Sequence, residues 1–172
     1  MQIESFQPTF EGEARILLLV DEFSDGKSCL EGRIKLAKLD FFLRYPKYLR
    51  RALVLRGTTG EETAVLTCSE DIDTKMVRYR YGPWDPSYYG ILGRLIGKGL
   101  VNPVPYKRGI GYKVSDKGHK IAKLLRQEPS WADMSNKLSL LKSKLNLAGT
   151  TLKNFIYENF PEITKASWGD VI

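Results

Sequence analysis

The sequence predicts a mainly α-helical chain with one small antiparallel β wing, and three observations lead there. Apolar residues recur at helical spacing through most of the length, while only short runs alternate as strands do. Proline and glycine fall where helices would start, stop or kink. The 172 residues suit one domain, or one domain with a helical extension. With 42% hydrophobic and 27% charged residues, disorder is not expected over most of the chain.

In order along the chain, a polar tail (residues 1–12) precedes "EARILLLVDEF", a buried helix from about Glu13 to Phe23. In it Ile16, Leu19, Val20 and Phe23 keep helical spacing. "SDGK" breaks it, and a longer helix starts near Ser28. Leu30, Ile34, Leu36, Leu39, Phe42 and Leu43 form its broad apolar face, with Lys35, Lys38 and Asp40 largely off that face. Pro46 ends or kinks this helix, since the residue before proline disfavours the α region, and "PKYLRRALVLR" restarts it. Residues 57–75 are the least decided stretch, with a short helix around Glu61 to Thr67. "MVRYRY" alternates Val77, Tyr79 and Tyr81 against Arg78 and Arg80, a strand with one charged face.

"DPSYYGILGRLIGKGLV" then reads as a capped helix, with Asp85 at the N-cap, Pro86 at the first helical position and Gly99 as the stop. Two strand-like runs, about 100–105 and 111–115, flank a turn at "YKRGIG". Ser115 caps a helix carrying Ile121, Ala122, Leu124 and Leu125. A helix, a glycine stop, a hairpin with a basic tip and another helix stand in the order of a winged helix-turn-helix. "YKVSDKGHKIAKLL" resembles the last strand and helix of many winged-helix regulators. Beyond Pro129 two more helices follow, with Leu138, Leu141 and Leu145 on one stripe, and Leu152, Phe155 and Ile156 on another. The expected organisation is therefore a winged helix-turn-helix core over residues 13–127 plus C-terminal helices over 128–172.

No constellation of catalytic residues emerges, so no enzyme is expected. His119 is the sole histidine and sits among Lys117, Lys120 and Lys123, which disfavour the imidazolium that a Ser-His-Asp mechanism needs; a solvated surface histidine is the expectation. "GILGRLIGKG" lacks the phosphate-loop pattern, and its glycines lie inside a helix. The acidic run Glu70, Asp71 and Asp73 lacks the spacing of a calcium loop. Cys29 and Cys68 are far apart, with no histidine near them, so neither a disulfide framework nor a zinc site is expected, and no cofactor. A signal peptide is not expected at the start, nor is a span long enough to cross a bilayer, which places the chain in the cytoplasm.

Two surfaces carry the candidate interactions. The formal charge of +7 favours anionic partners. From Arg94 to Arg126 the charges are almost all positive, against Asp116 alone. Arg78, Arg80, Arg94, Lys98, Lys107, Arg108 and Lys113 are the candidate DNA or phosphate contacts, with Lys107 and Arg108 at the wing tip. Base reading is harder to support. Tyr88, Leu92, Leu95 and Ile96 form the buried side of their helix, leaving Gly90, Gly93, Gly97, Arg94 and Lys98 outside. Base edges are read mainly by Arg, Asn, Gln and Lys. Glycine costs a helix interior about 0.8–1.0 kcal/mol relative to alanine. Three of them point to close approach by another backbone, from a partner or from within this chain.

"KLAKLDFFLRYPKYLRRAL" (residues 35–53) and "VRYRYGPWDPSYYGILGRLIGKGLV" (residues 77–101) go beyond a generic winged helix. They resemble the middle component of bacterial ABC-three component systems, which include the small middle subunit of Lamassu-type antiphage and antiplasmid defence. The likeness rests on Leu39, Asp40, Phe41, Leu43, Arg44, Tyr45 and Pro46, then on Arg78, Tyr79, Arg80, Tyr81, Gly82, Pro83 and Trp84, ending at Gly99 and Leu100. It implies a non-catalytic subunit that works beside an SMC-like ATPase and a separate nuclease-type effector, with double-stranded DNA compatible with the basic wing and no membrane partner. An operator-binding homodimeric transcription regulator of the winged-helix type is the alternative, and a protein–protein adaptor is a third.

Overall fold

The computed structural model describes residues 9–64, 66, 87–107 and 109–165. Within them the protein is mainly helical, with one two-stranded antiparallel sheet. The expected strand over residues 76–81, the cap formed by Asp85 and Pro86, and the acidic run at 70–73 lie outside the described residues.

Helix α1 (Phe10–Glu22) is the centre of the fold. The Thr9 hydroxyl accepts the Gly12 N–H at 3.0 Å, and Glu11 and Glu13 in the first turn suit the positive end of the helix. Ile16, Leu17, Leu18, Leu19 and Val20 are all buried, so the helix has no free side here. The reason is its position: α2 (Gly32–Arg44), α5 (Ser87–Gly97), α6 (Asp116–Gln127) and α7 (Ala132–Leu145) all pack on it.

Helix α2 begins later than the sequence suggests, because Leu30 forms an isolated antiparallel bridge with Tyr112. The Leu30 N–H donates to the Tyr112 carbonyl at 2.8 Å, and Tyr112 N–H donates back at 2.9 Å. The α2 faces also differ from expectation. Lys35, Lys38 and Asp40 are buried, whereas Ile34 is exposed. Helix α8 (Gly149–Asn159) also packs on α2, so Lys35 and Lys38, expected in water, lie under a second layer, whereas Asp40 turns to Arg15 on α1. Each polar group there needs a partner. Lys35 Nζ donates to Asn146 Oδ1 at 2.7 Å, and Arg15 donates to Asp40 Oδ1 at 2.6 Å.

At Tyr45-Pro46 the chain behaves as expected: α2 ends at Arg44, and α3 (Pro46–Leu55) opens with proline in its first turn. Tyr48, Leu49, Ala52 and Leu53 form the buried face of α3. The short α4 (Gly60–Ala64) is a capping box, Thr59 and Glu62 satisfying each other's backbone N–H groups.

Strands β1 (Val101–Tyr106) and β2 (Gly109–Val114) pair from Val101 opposite Val114 to Tyr106 opposite Gly109, with Lys107 at positive φ (49°) in the turn. Ser115 then caps α6 by accepting the Gly118 N–H at 3.0 Å, as the sequence predicts. A 3-10 turn (Pro129–Trp131) leads into α7, and α8 and α9 (Pro161–Lys165) close the chain. Leu138, Leu141, Leu145, Leu152, Ile156, Phe160 and Ile163 are buried in the same core as α1 and α2.

Candidate interaction surface

Helix α5 is placed by a buried stripe of Tyr88, Ile91, Leu92 and Leu95, with Ile96 half-buried. It lies close to α1, because a Cβ on Gly12 would sit 2.9 Å from Ile91 Cδ1. Gly99 (φ 67°) ends it, with Leu100 N–H returning to the Leu95 carbonyl and Gly99 N–H to that of Ile96. That is the paired closure of a glycine C-terminus.

The outer face is Tyr89, Gly90, Gly93, Arg94, Gly97 and Lys98, all exposed. Among the described residues, no atom comes within 4 Å of a Cβ placed on Gly93 or Gly97. Of the two reasons offered for these glycines, tight packing within this chain therefore finds no support at this pair among the described residues. The close approaches inside the chain occur at other glycines. A Cβ at Gly118 would stand 2.1 Å from the Leu100 carbonyl oxygen, and one at Gly111 2.5 Å from Cys29 Sγ.

Arg94 and Lys98 do not project freely from α5. Both reach the buried carboxylate of Glu13 on α1, Arg94 at 3.3 Å and Lys98 in a direct hydrogen bond. The Lys98 hydrogen bond holds the Glu13 carboxyl below its ordinary pKa, against the opposing effect of burial, with Arg94 helping. Two cations against one carboxylate leave a net positive charge on this face, but in a fixed arrangement. Such an arrangement suits a charged rim better than side chains that search for base edges.

The remaining basic candidates separate in the same way. Lys113 donates to the Gly26 carbonyl at 2.6 Å and ties β2 to the loop after α1. Lys117 donates to the Lys98 carbonyl at 3.1 Å, a cation on the negative end of α5. Lys107 is exposed, and its ammonium lies 5.1 Å from the Tyr106 ring centre, whose hydroxyl raises the lysine pKa by hydrogen bonding. Arg78, Arg80 and Arg108 lie outside the described residues. The structure thus brings Arg94 and Lys98 together, and sets Lys107 and Lys113 on the hairpin.

His119 is exposed, as expected, but it is not simply solvated. Its Nδ1 lies 2.7 Å from Asp21 Oδ1, and the buried Asp21 also takes Arg126, which reaches Glu22 at 2.9 Å as well. Sequence reasoning missed this cluster because Asp21 comes from α1, far away along the chain. No serine or cysteine hydrogen-bonds the His119 ring among the described residues. Among the same residues, no group of histidine, cysteine and acidic side chains is placed to hold a metal, and no helix is long and apolar enough to cross a membrane.

No family model, curated protein or solved structure matches the chain.

Proposed function

We propose that this protein is a non-catalytic accessory subunit of a prokaryotic antiphage or antiplasmid defence complex. In that role it links an SMC-like ATPase to a nuclease-type effector through a winged-helix scaffold. The observation that carries the reading is the outer face of α5. Among the described residues nothing covers the exposed Gly93 and Gly97 on a well-packed helix, and the flanking Arg94 and Lys98 are held by Glu13. Such a face lets another backbone come close while offering little for sequence readout.

Chain order supports the winged-helix part. Leu30, between α1 and α2, pairs with β2, and β2 pairs with β1 after α5. A winged helix has this sequence of helix, edge strand, helix, reading helix and hairpin. It departs from the simplest form of that fold in one respect: α3, α4 and residues 67–86 stand between α2 and α5. The resemblance of residues 35–53 and 77–101 to the middle components of ABC-three component systems supplies the biological setting.

Affinity purification of the tagged protein from its native locus tests the reading. Recovery of a large ATPase and a nuclease-like subunit is expected, and their loss from Gly93→Trp while the isolated subunit keeps its melting temperature. The exposed Lys107 at the hairpin turn favours one second reading, an operator-binding homodimer. Recovery of a homodimer alone, with a discrete DNA site and a salt-dependent affinity that falls on Lys107→Glu, would establish that reading and overturn the first.

A further inference from the structure

A groove of about 900 Å³ opens between the hairpin, the start of α2 and the start of α8. No residue lining it lies on α5, although Arg33 in its wall packs on Tyr89 at the edge of that helix's outer face. Its wall includes Ile34 on α2 and Ile110 on β2, which are 61% and 56% exposed. Both depart from their surroundings. The other aliphatic side chains of α2 are buried, and Tyr112, two residues from Ile110 along β2, is buried as well. Two large aliphatic side chains left open on one concave surface form an apolar patch that water covers poorly.

The wall of this groove is also cationic. The Arg33 guanidinium stands 5.0 Å from the Tyr89 ring centre, and the Lys107 ammonium 5.1 Å from that of Tyr106. Neither forms an ion pair with a carboxylate among the described residues. Glu31, the acid in the wall, lies 3.6 Å from Lys35 Nζ and its charge also reaches Lys107, so one carboxylate stands against three cations there. The first turns of α2 and α8 complete the wall, carry no acidic residue, and add potential of the same sign.

We propose that this groove docks an acidic peptide segment of a protein partner, with an apolar side chain seated between Ile34 and Ile110 and carboxylates against Arg33 and Lys107. The isoleucines favour a peptide over DNA, because a phosphate backbone offers nothing to cover them. The charge favours an acidic segment over a neutral one. This site stands whether or not α5 holds a second partner.

Short random peptides displayed on phage are selected on the immobilised full-length protein. The winners are then made with a fluorophore and titrated by anisotropy. Enriched peptides are expected to pair Asp or Glu with Leu, Ile or Phe. Their affinity is expected to fall about tenfold or more in Ile34→Ser, Ile110→Ser and Lys107→Glu. In Leu124→Ser, an exposed position on α6 away from the groove, affinity stays unchanged. A peptide with its acids replaced by lysines is expected to regain binding to the double variant Arg33→Glu, Lys107→Glu, a gain that only a folded variant can give. No enrichment, winners without acids, or equal binding to the groove variants would overturn the proposal. So would displacement of the peptide by a DNA duplex whose affinity depends on Lys107 but not on Ile34, since the rim is then a phosphate contact.

Discussion

Gly93 and Gly118 are both helical glycines, and the sequence does not tell them apart. Among the described residues Gly93 has no neighbour within 4 Å of an added Cβ, whereas Gly118 lies against the Leu100 carbonyl. Gly93→Ala is therefore expected to stabilise the isolated protein by about 0.8–1 kcal/mol, and Gly118→Ala to destabilise it by about 3 kcal/mol, because its neighbour is backbone and cannot swing aside. Urea unfolding of both variants measures the contrast; equal effects would mean that packing does not separate these sites. A second residue-scale effect concerns Lys38. Burial, aided by the charge of Lys153, pushes its ammonium down to about 8 from an ordinary 10.5. Between those values the unfolded chain binds more protons than the folded one, so stability rises with pH. The rise is on the order of 1–3 kcal/mol, and Lys35, also lowered by burial, adds to it. From the ordinary phenol value of 10.0 upward the buried phenols of Tyr48, Tyr88 and Tyr112, all raised mainly by burial, act in the opposite direction. Denaturation midpoints on either side of pH 8 are expected to differ less in Lys38→Met than in the natural protein.

At the scale of elements, the link between α1 and α5 shows how one buried carboxylate organises a surface. Glu13 has its pKa lowered, so its contribution is present above the unfolded value near 4.5 and disappears as pH falls through the folded one. Glu13→Gln is expected to cost about 1 kcal/mol at neutral pH, the modest figure reflecting that Arg94 and Lys98 are half in water. Below pH 4.5 the difference from the natural protein should shrink towards zero, which thermal melts across the acid range would show. Helix punctuation was the most legible part of the sequence. Pro46, Gly99 and Ser115 act where local chemistry says they should, because each needs only its own few neighbours. The faces of α2 were not legible. Ile34 is exposed and Lys38 buried because α8, more than a hundred residues further on, decides which side is covered. The Leu30 bridge left no signal at all, since a single paired residue has no periodicity. Of the candidate site, the outward glycines could be read from the helical stripe, but the capture of Arg94 and Lys98 by Glu13 could not, because that pairing is purely tertiary.

At the scale of the whole molecule, the core runs across the junction between α6 and α7. The C-terminal helices supply Leu138, Leu141, Leu145, Leu152, Ile156, Phe160 and Ile163, all fully buried. The Phe160 ring meets Phe42 edge-on with centroids 6.2 Å apart, and Arg51 on α3 donates to the Asn159 carbonyl at 2.8 Å. Lys35 also depends on this layer, because Asn146 accepts its hydrogen bond and, without that acceptor, the buried cation keeps Glu31 at 3.6 Å and the Phe23 ring at 5.4 Å. Burial of each such apolar side chain contributes about 1.5–3 kcal/mol, so together they are at least comparable to the roughly 5–15 kcal/mol by which a domain is normally stable. A chain ending at Glu128 is therefore expected to lose cooperative unfolding and to bind a hydrophobic dye, even though the hairpin, α1 and α5 are all retained. Calorimetry of the truncated and full chains decides the point. A sharp transition in the shorter chain would show that α1, α5 and the hairpin fold as a separable unit and that the C-terminal helices only dock on it. A broad one would mean that the α5 face and the groove beside the hairpin exist only when the whole chain is folded.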